Sequence, residues 1–133
     1  MKCLAMTIVA ALSLTGCETP HRENPPVDAR VAMQRGVLST EHGDFRAAIV
    51  EYEKVLRLQP KNAEVVYLRG VAYERLGDRN SAISNYDTAV TLNPNLLPAY
   101  VARAALHEAS GDFAAAAADY AIVRRLSGDD QQR

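Results

Sequence analysis

One dipeptide recurs at a fixed interval: Gly43-Asp44, Gly77-Asp78 and Gly111-Asp112 stand 34 residues apart. Five residues after each Gly is an Ala (Ala48, Ala82, Ala116), and four further on a Tyr (Tyr52, Tyr86, Tyr120). Three copies of G-D-x3-A-x3-Y in one register mean that a single supersecondary unit is repeated, so the chain stacks units along an axis instead of closing around one central core. Each element of the motif has a physical task. Gly takes the left-handed conformation that ends a first helix, and Asp caps the next helix by accepting from its exposed amides. Ala lets the two antiparallel helices approach, and Tyr fills the space between neighbouring pairs. Pro60 and Pro94 stop the second helices of their units, and Asp28 and Asn62 suit the N-caps of the first helices of units one and two. The spacing predicts helices near 29–42, 45–58, 63–76, 79–92, 97–109 and 113–126.

These residues resemble the tetratricopeptide repeat (TPR), a helix-turn-helix unit of 34 residues. The units run 29–62 (TPR 1), 63–96 (TPR 2) and 97–130 (TPR 3), which is 102 of the 133 residues, with a tail at 131–133. The middle copy is the most faithful, with Gly70, Tyr73, Gly77, Ala82, Tyr86, Ala89 and Pro94 all on family positions. The outer copies depart from it: Ser39 stands where Tyr73 does, and unit three has Ala104, His107 and Gly128 for the Gly, Tyr and Pro. Terminal repeats each lack one neighbour, so drift there is expected. The resemblance implies an all-α chain of three tandem repeats forming a short right-handed α-solenoid.

The first residues stand apart from this pattern. Residues 1–16 read MKCLAMTIVAALSLTG: one Lys, then an apolar run from Leu4 to Thr15. The run is shorter than the ~20 apolar residues that a membrane-spanning helix needs and suits the core of an export signal. It ends Leu14-Thr15-Gly16-Cys17, which resembles the lipobox of bacterial lipoproteins. That resemblance implies cleavage before Cys17, acylation of Cys17, and a chain held in the cell envelope facing the periplasm; Glu18 in place of Asp leans the sorting toward the outer membrane. Residues 17–28 are then the lipidated Cys and a Pro-rich tether, extended at roughly 3.1 Å per residue. Cys3 and Cys17 are the only two cysteines. Loss of Cys3 with the signal and acylation of Cys17 leave no thiol for a disulfide or a thiolate metal site.

Chemistry is sparse in the repeats. Fifteen Lys and Arg balance sixteen Asp and Glu, against the basic face that nucleic-acid binding requires. His21, His42 and His107 have no partner His at helical spacing, and no phosphate loop, dinucleotide fingerprint or nucleophile elbow is present. The expectation is therefore no catalytic residues, no metal and no cofactor. Arg recurs at one position, as Arg35, Arg69 and Arg103. Sixteen residues on stand Glu51, Asn85 and Asp119, which favours cross-helix pairing over a ladder for an acidic ligand.

Seven of the eight aromatics fall where the family packs helices: Phe45, Tyr52, Tyr73, Tyr86, Tyr100, Phe113 and Tyr120. Tyr67 falls in the concave groove that the resemblance implies, with Met33, Val37, Val71, Val101 and Ala105, and with Glu74 and Glu108 one turn further along. Such a groove accepts an apolar or extended peptide. The carboxylate-clamp subtype of the family holds a terminal carboxylate with Lys and Asn, whereas Met, Tyr and Val stand at those positions here, so chaperone C-termini are disfavoured. A second candidate surface is the Ala-rich last helix, where Ala114, Ala115, Ala118, Ala121 and Ile122 replace the polar Asn80, Ser81, Ser84, Asp87 and Thr88 of unit two; it is read as an end face for partner docking or a weak homodimer. The resulting expectation is a non-enzymatic protein-interaction adaptor, tethered to the membrane by its lipid. The rivals are a pilotin-like assembly subunit of a pilus or secretion machine, docking by its C-terminal helix, and a regulator of cell-wall enzymes.

Overall fold

The structure, a computed structural model, describes residues 28–128. The signal segment, Cys17, most of the tether and the tail lie outside the described residues. Six α-helices follow in order, with no strand among the described residues: α1 Ala29–Glu41, α2 Phe45–Leu58, α3 Ala63–Arg75, α4 Arg79–Leu92, α5 Leu97–Ala109 and α6 Phe113–Ser127. Each ends within one residue of its expected bounds. The helices pair as α1 with α2, α3 with α4 and α5 with α6, and each pair packs on the next. The result is an all-α helical repeat.

The turn inside each pair comes from the Gly-Asp dipeptide. At Gly77 the backbone turns left-handed (φ +82°), a conformation that costs Gly little. The Asp78 N–H then closes onto the Tyr73 carbonyl at 3.0 Å, satisfying an end-of-helix acceptor. Asp78 Oδ1 accepts from the Ser81 amide at 3.1 Å, and Asp44 and Asp112 do the same for Ala47 and Ala115. Asp78 also accepts from the Ser81 hydroxyl at 2.7 Å, and these bonds from Ser81 hold its carboxyl below the usual carboxylate range. Asp28 and Asn62 cap α1 and α3 through the Arg30 and Val65 amides. The start of α5 is different. Leu96 makes no side-chain cap, and Pro98 stands in the first turn, where a missing N–H leaves no bond unmade. Gly128 takes the place of Pro60 and Pro94 and ends α6 in a left-handed conformation instead.

Packing rests on a contact between the second helix and the first helix of each pair. The Tyr86 ring lies across Gly70, so that a Cβ on Gly70 would stand 2.7 Å from Tyr86 Cε1. Tyr52 lies across Gly36 in the same way, where a Cβ would come to 2.5 Å. Both rings are covered from the far side by the following unit: Tyr52 clusters with Val65 and Ala72 of α3, and Tyr86 with Leu106 of α5. They are 1% and 0% exposed. The core is therefore a chain of clusters that each span neighbouring units, and buried side chains such as Val55, Val65 and Val66 contribute roughly 1.5–3 kcal/mol apiece.

Unit three departs from the expected aromatic packing. Tyr120 is 41% exposed and Phe113 68%. The reason is twofold. Ala104, fully buried, occupies the position of Gly36 and Gly70, and no further helix follows among the described residues to cover the ring.

The Gly70–Tyr86 contact predicts the cost of a single methyl. Overpacking a filled site costs ~1–3 kcal/mol, against the ~1 kcal/mol of helix propensity that Ala gains over Gly. Gly70→Ala is therefore expected to lower stability by about 1 kcal/mol net. A fall in the urea midpoint at unchanged slope checks it; an unchanged or raised midpoint would mean that the ring is free to move aside.

Candidate functional site

The groove residues occupy equivalent positions on the three first helices. Met33, Tyr67 and Val101 form one row, Val37, Val71 and Ala105 the next, and Thr40, Glu74 and Glu108 the third. Within each helix these lie at i, i+4 and i+7, which is one stripe. The stripe is partly open to solvent: Met33, Tyr67, Val71 and Glu74 are half-buried, while Val37, Val101, Ala105 and Glu108 are exposed.

The middle of the stripe is built most firmly. The Tyr67 ring leans on Tyr86 with centroids 5.7 Å apart and planes inclined by 35°. The Tyr86 hydroxyl donates to Glu74 Oε2 at 2.5 Å. Burial first, then the bond to Glu74 and its charge, push the Tyr86 phenol far above its ordinary value, and burial followed by the same carboxylate raises Tyr67. Glu74 is thus not a free groove charge, since one of its oxygens anchors a core tyrosine. The same link recurs as Tyr52 with Thr40 (3.1 Å) and as Tyr120 donating to Glu108 (3.2 Å). The spacing of twelve residues between these partners was readable in the chain but carries no signal until the helix pair is formed.

Met33 also borders an open hollow of about 790 Å³ with Arg30, Gln34, Glu64 and Val65. The other groove residues do not line it.

The recurrent arginines are structural in two units. Arg69 Nε donates to Asn85 Oδ1 at 2.8 Å. Arg103 makes a two-pronged contact with the buried Asp119, at 2.8 and 2.5 Å, and reaches back to Asp87 of α4 at 2.7 Å. The bond to Asp119 is the main reason that its guanidinium holds its proton even more tightly than usual. In unit one the expected pair is absent. Arg35 is exposed and Glu51 instead accepts from Lys54 at 2.6 Å, leaving Glu51 Oε2 buried without a hydrogen bond. An amide proved a better partner in unit two than the acid did in unit one.

The alanine-rich surface requires a correction. Ala114, Ala118 and Ala121 are exposed, but so are their counterparts Asn80, Ser84 and Asp87 in unit two, which has a following unit. These three positions therefore lie along the outside of the array and not on its end. Ala115 is half-buried, and Ile122 packs inward against the second core cluster with Ala99 and Tyr100. The end that a following unit would cover is marked by Val101, Ala117 and Tyr120, because their counterparts Met33, Ile49 and Tyr52 in unit one and Tyr67, Ile83 and Tyr86 in unit two are ones that such a unit does cover.

Among the described residues no three His, Cys, Asp or Glu side chains gather as a metal ion would need, and no helix is long and apolar enough to cross a membrane.

The family described as TPR repeat matches residues 38–77, and that described as tetratricopeptide repeat matches residues 63–96. The first TPR of Spaghetti (RPAP3), solved bound to the HSP90 peptide SRMEEVD, superposes with a TM-score of 0.70 at 32% identity, covering 74% of this chain and 80% of that one. The chain belongs to the tetratricopeptide repeat family. The TPR2B domain of yeast Sti1, in complex with pHsp70, is similar in fold (TM-score 0.72, 23% identity, 76% of this chain and 81% of that chain). So is MamA (TM-score 0.74, 19% identity, 80% of this chain), of which the chain spans 62% of the length. No curated protein matches.

The tyrosine cluster sets an alkaline limit on the fold. The Tyr86 phenol lies above the ordinary value of 10.0 in the folded chain, so its contribution is fully present below that pH and is lost as pH rises past it. Tyrosinate absorbance and loss of helical circular dichroism are expected to rise together in alkali, and Tyr86→Phe to shrink the pH-dependent part of that loss. Ionisation of all six tyrosines while the helices remain intact would contradict this.

Proposed function

We propose that this chain is a non-enzymatic adaptor that binds protein segments through the stripe formed by α1, α3 and α5. The observation that carries the reading is the partly exposed apolar run Met33, Val37, Tyr67, Val71, Val101 and Ala105 on a family scaffold whose relatives are solved with peptides bound. Its edge carries the exposed Glu108 and none of the groove positions holds a Lys, so the fitting partner is an apolar segment bearing Lys or Arg. The acid-rich SRMEEVD peptide held by the Spaghetti relative fits poorly, because Met, Tyr and Val stand where a carboxylate clamp needs cations and amides.

Titration of the full chain with an apolar-basic peptide and with SRMEEVD tests this. The first is expected to bind and the second not. Tyr67→Ala is expected to weaken binding about tenfold, the loss of one aromatic anchor worth ~1.4 kcal/mol. Preference for SRMEEVD, or indifference to Tyr67, would overturn the reading.

The same proposal places the domain in the cell envelope, acylated at Cys17 and facing the periplasm from the outer membrane. Its support is the apolar run and the Leu-Thr-Gly-Cys sequence of residues 14–17. Two or more acyl chains anchor stably where one does not. Cys17→Ser is therefore expected to move the protein from the membrane to the soluble fraction on cell fractionation. A variant that stays membrane-bound would remove the lipid anchor from the proposal.

A further inference from the structure

The two ends of the array expose surfaces that the chain itself buries twice. On α1, Val31 and Leu38 are 42% and 51% exposed. Their counterparts on α3 are Val65 and Ala72, at 2% and 0%, and on α5 Ala99 and Leu106, at 0% and 8%. These are the side chains by which one unit sits on the unit before it. At the other end Ala117 and Tyr120 are exposed, whereas Ile49 and Tyr52 of unit one and Ile83 and Tyr86 of unit two are half-buried or buried beneath the following unit. The last unit thus offers the receiving half of a seam, and the first unit offers the inserting half.

We propose that a second copy of this chain occupies the open C-terminal end, its α1 docking on α5 and α6 as α5 docks on α3 and α4. The contact continues a seam already present in the molecule. Leu38 of the incoming copy takes the place against Tyr120 that Leu106 takes against Tyr86 within the third core cluster. The contact is heterologous, so it propagates from copy to copy instead of closing as a symmetric dimer. It is also weaker than the internal seam between units two and three. Arg103 ties that seam to Asp87, but Arg35 of an incoming copy would face Ala121, which stands at the position of Asp87. Apolar contact alone holds the stack, and association rises with concentration.

The test uses the full chain carrying Cys17→Ser under reducing conditions, so that neither acyl groups nor thiols contribute, followed by sedimentation velocity over increasing concentration. The average mass is expected to climb without halting at twice the monomer. Leu38→Glu removes the inserting face and Ala117→Glu the receiving face, both at side chains already in solvent, and Val31→Glu repeats the first at an independent position. Circular dichroism confirms that each stays helical. Each variant alone is expected to be monomeric. An equal mixture of the Leu38→Glu and Ala117→Glu chains is expected to give a species of twice the monomer mass and nothing larger, since each keeps the face that the other has lost. The proposal is overturned by a mass that stays monomeric at every concentration, by a Leu38→Glu chain that still dimerises with itself, or by a mixture that remains monomeric.

Discussion

In units one and two a tyrosine on the second helix lies across the first helix of its own pair, and the following unit closes over it. This contact sets the spacing of the whole array. The glycine beneath the ring fixes how near the helices come, and a methyl there would sit inside the van der Waals surface of the aromatic carbons. Because the ring needs cover from the next unit, no pair is complete alone, and stability spreads only between neighbours. The same contact shapes the candidate binding stripe: Tyr86 supports Tyr67 from below and fixes Glu74 beside it. Groove and core are therefore not separate layers here. A change in the buried tyrosine reaches the surface within one side chain.

Much of the fold was legible because its signals are local. The Gly-Asp turns, the caps at Asp28 and Asn62 and the stops before Pro60 and Pro94 depend on a few consecutive residues, and they appear where the spacing put them. Signals that depend on a partner were harder to read. Asn85 accepts from Arg69 although it carries no charge, while Glu51 turns to Lys54 on its own helix, a nearer cation than Arg35. Hydrogen-bond geometry, not formal charge, decides these pairs.

The end of the array was misread for a related reason. A run of alanines looks like a bare face, but bareness is defined by what a neighbour would cover. Ala114 and Ala118 occupy positions that stay in solvent in every unit, whereas Ala117 and Tyr120 occupy positions that are sheltered in the units before. Only comparison across units, with burial known for each, separates the two. The resemblance to the family puts the groove residues on one stripe, but the involvement of Glu74 with a core hydroxyl is invisible until α3 and α4 stand side by side.

The seams between units are not alike. Between units one and two the join is apolar, with the Arg75 guanidinium over the Phe45 ring at 5.3 Å. Between units two and three Arg103 adds an ion bridge from Asp87 to Asp119. Dissolved salt screens the exposed Asp87 arm and leaves apolar burial untouched. Ionic strength thus acts most on one joint, so the two joints of the array answer to different conditions, one chiefly to salt and one chiefly to whatever competes for hydrophobic surface.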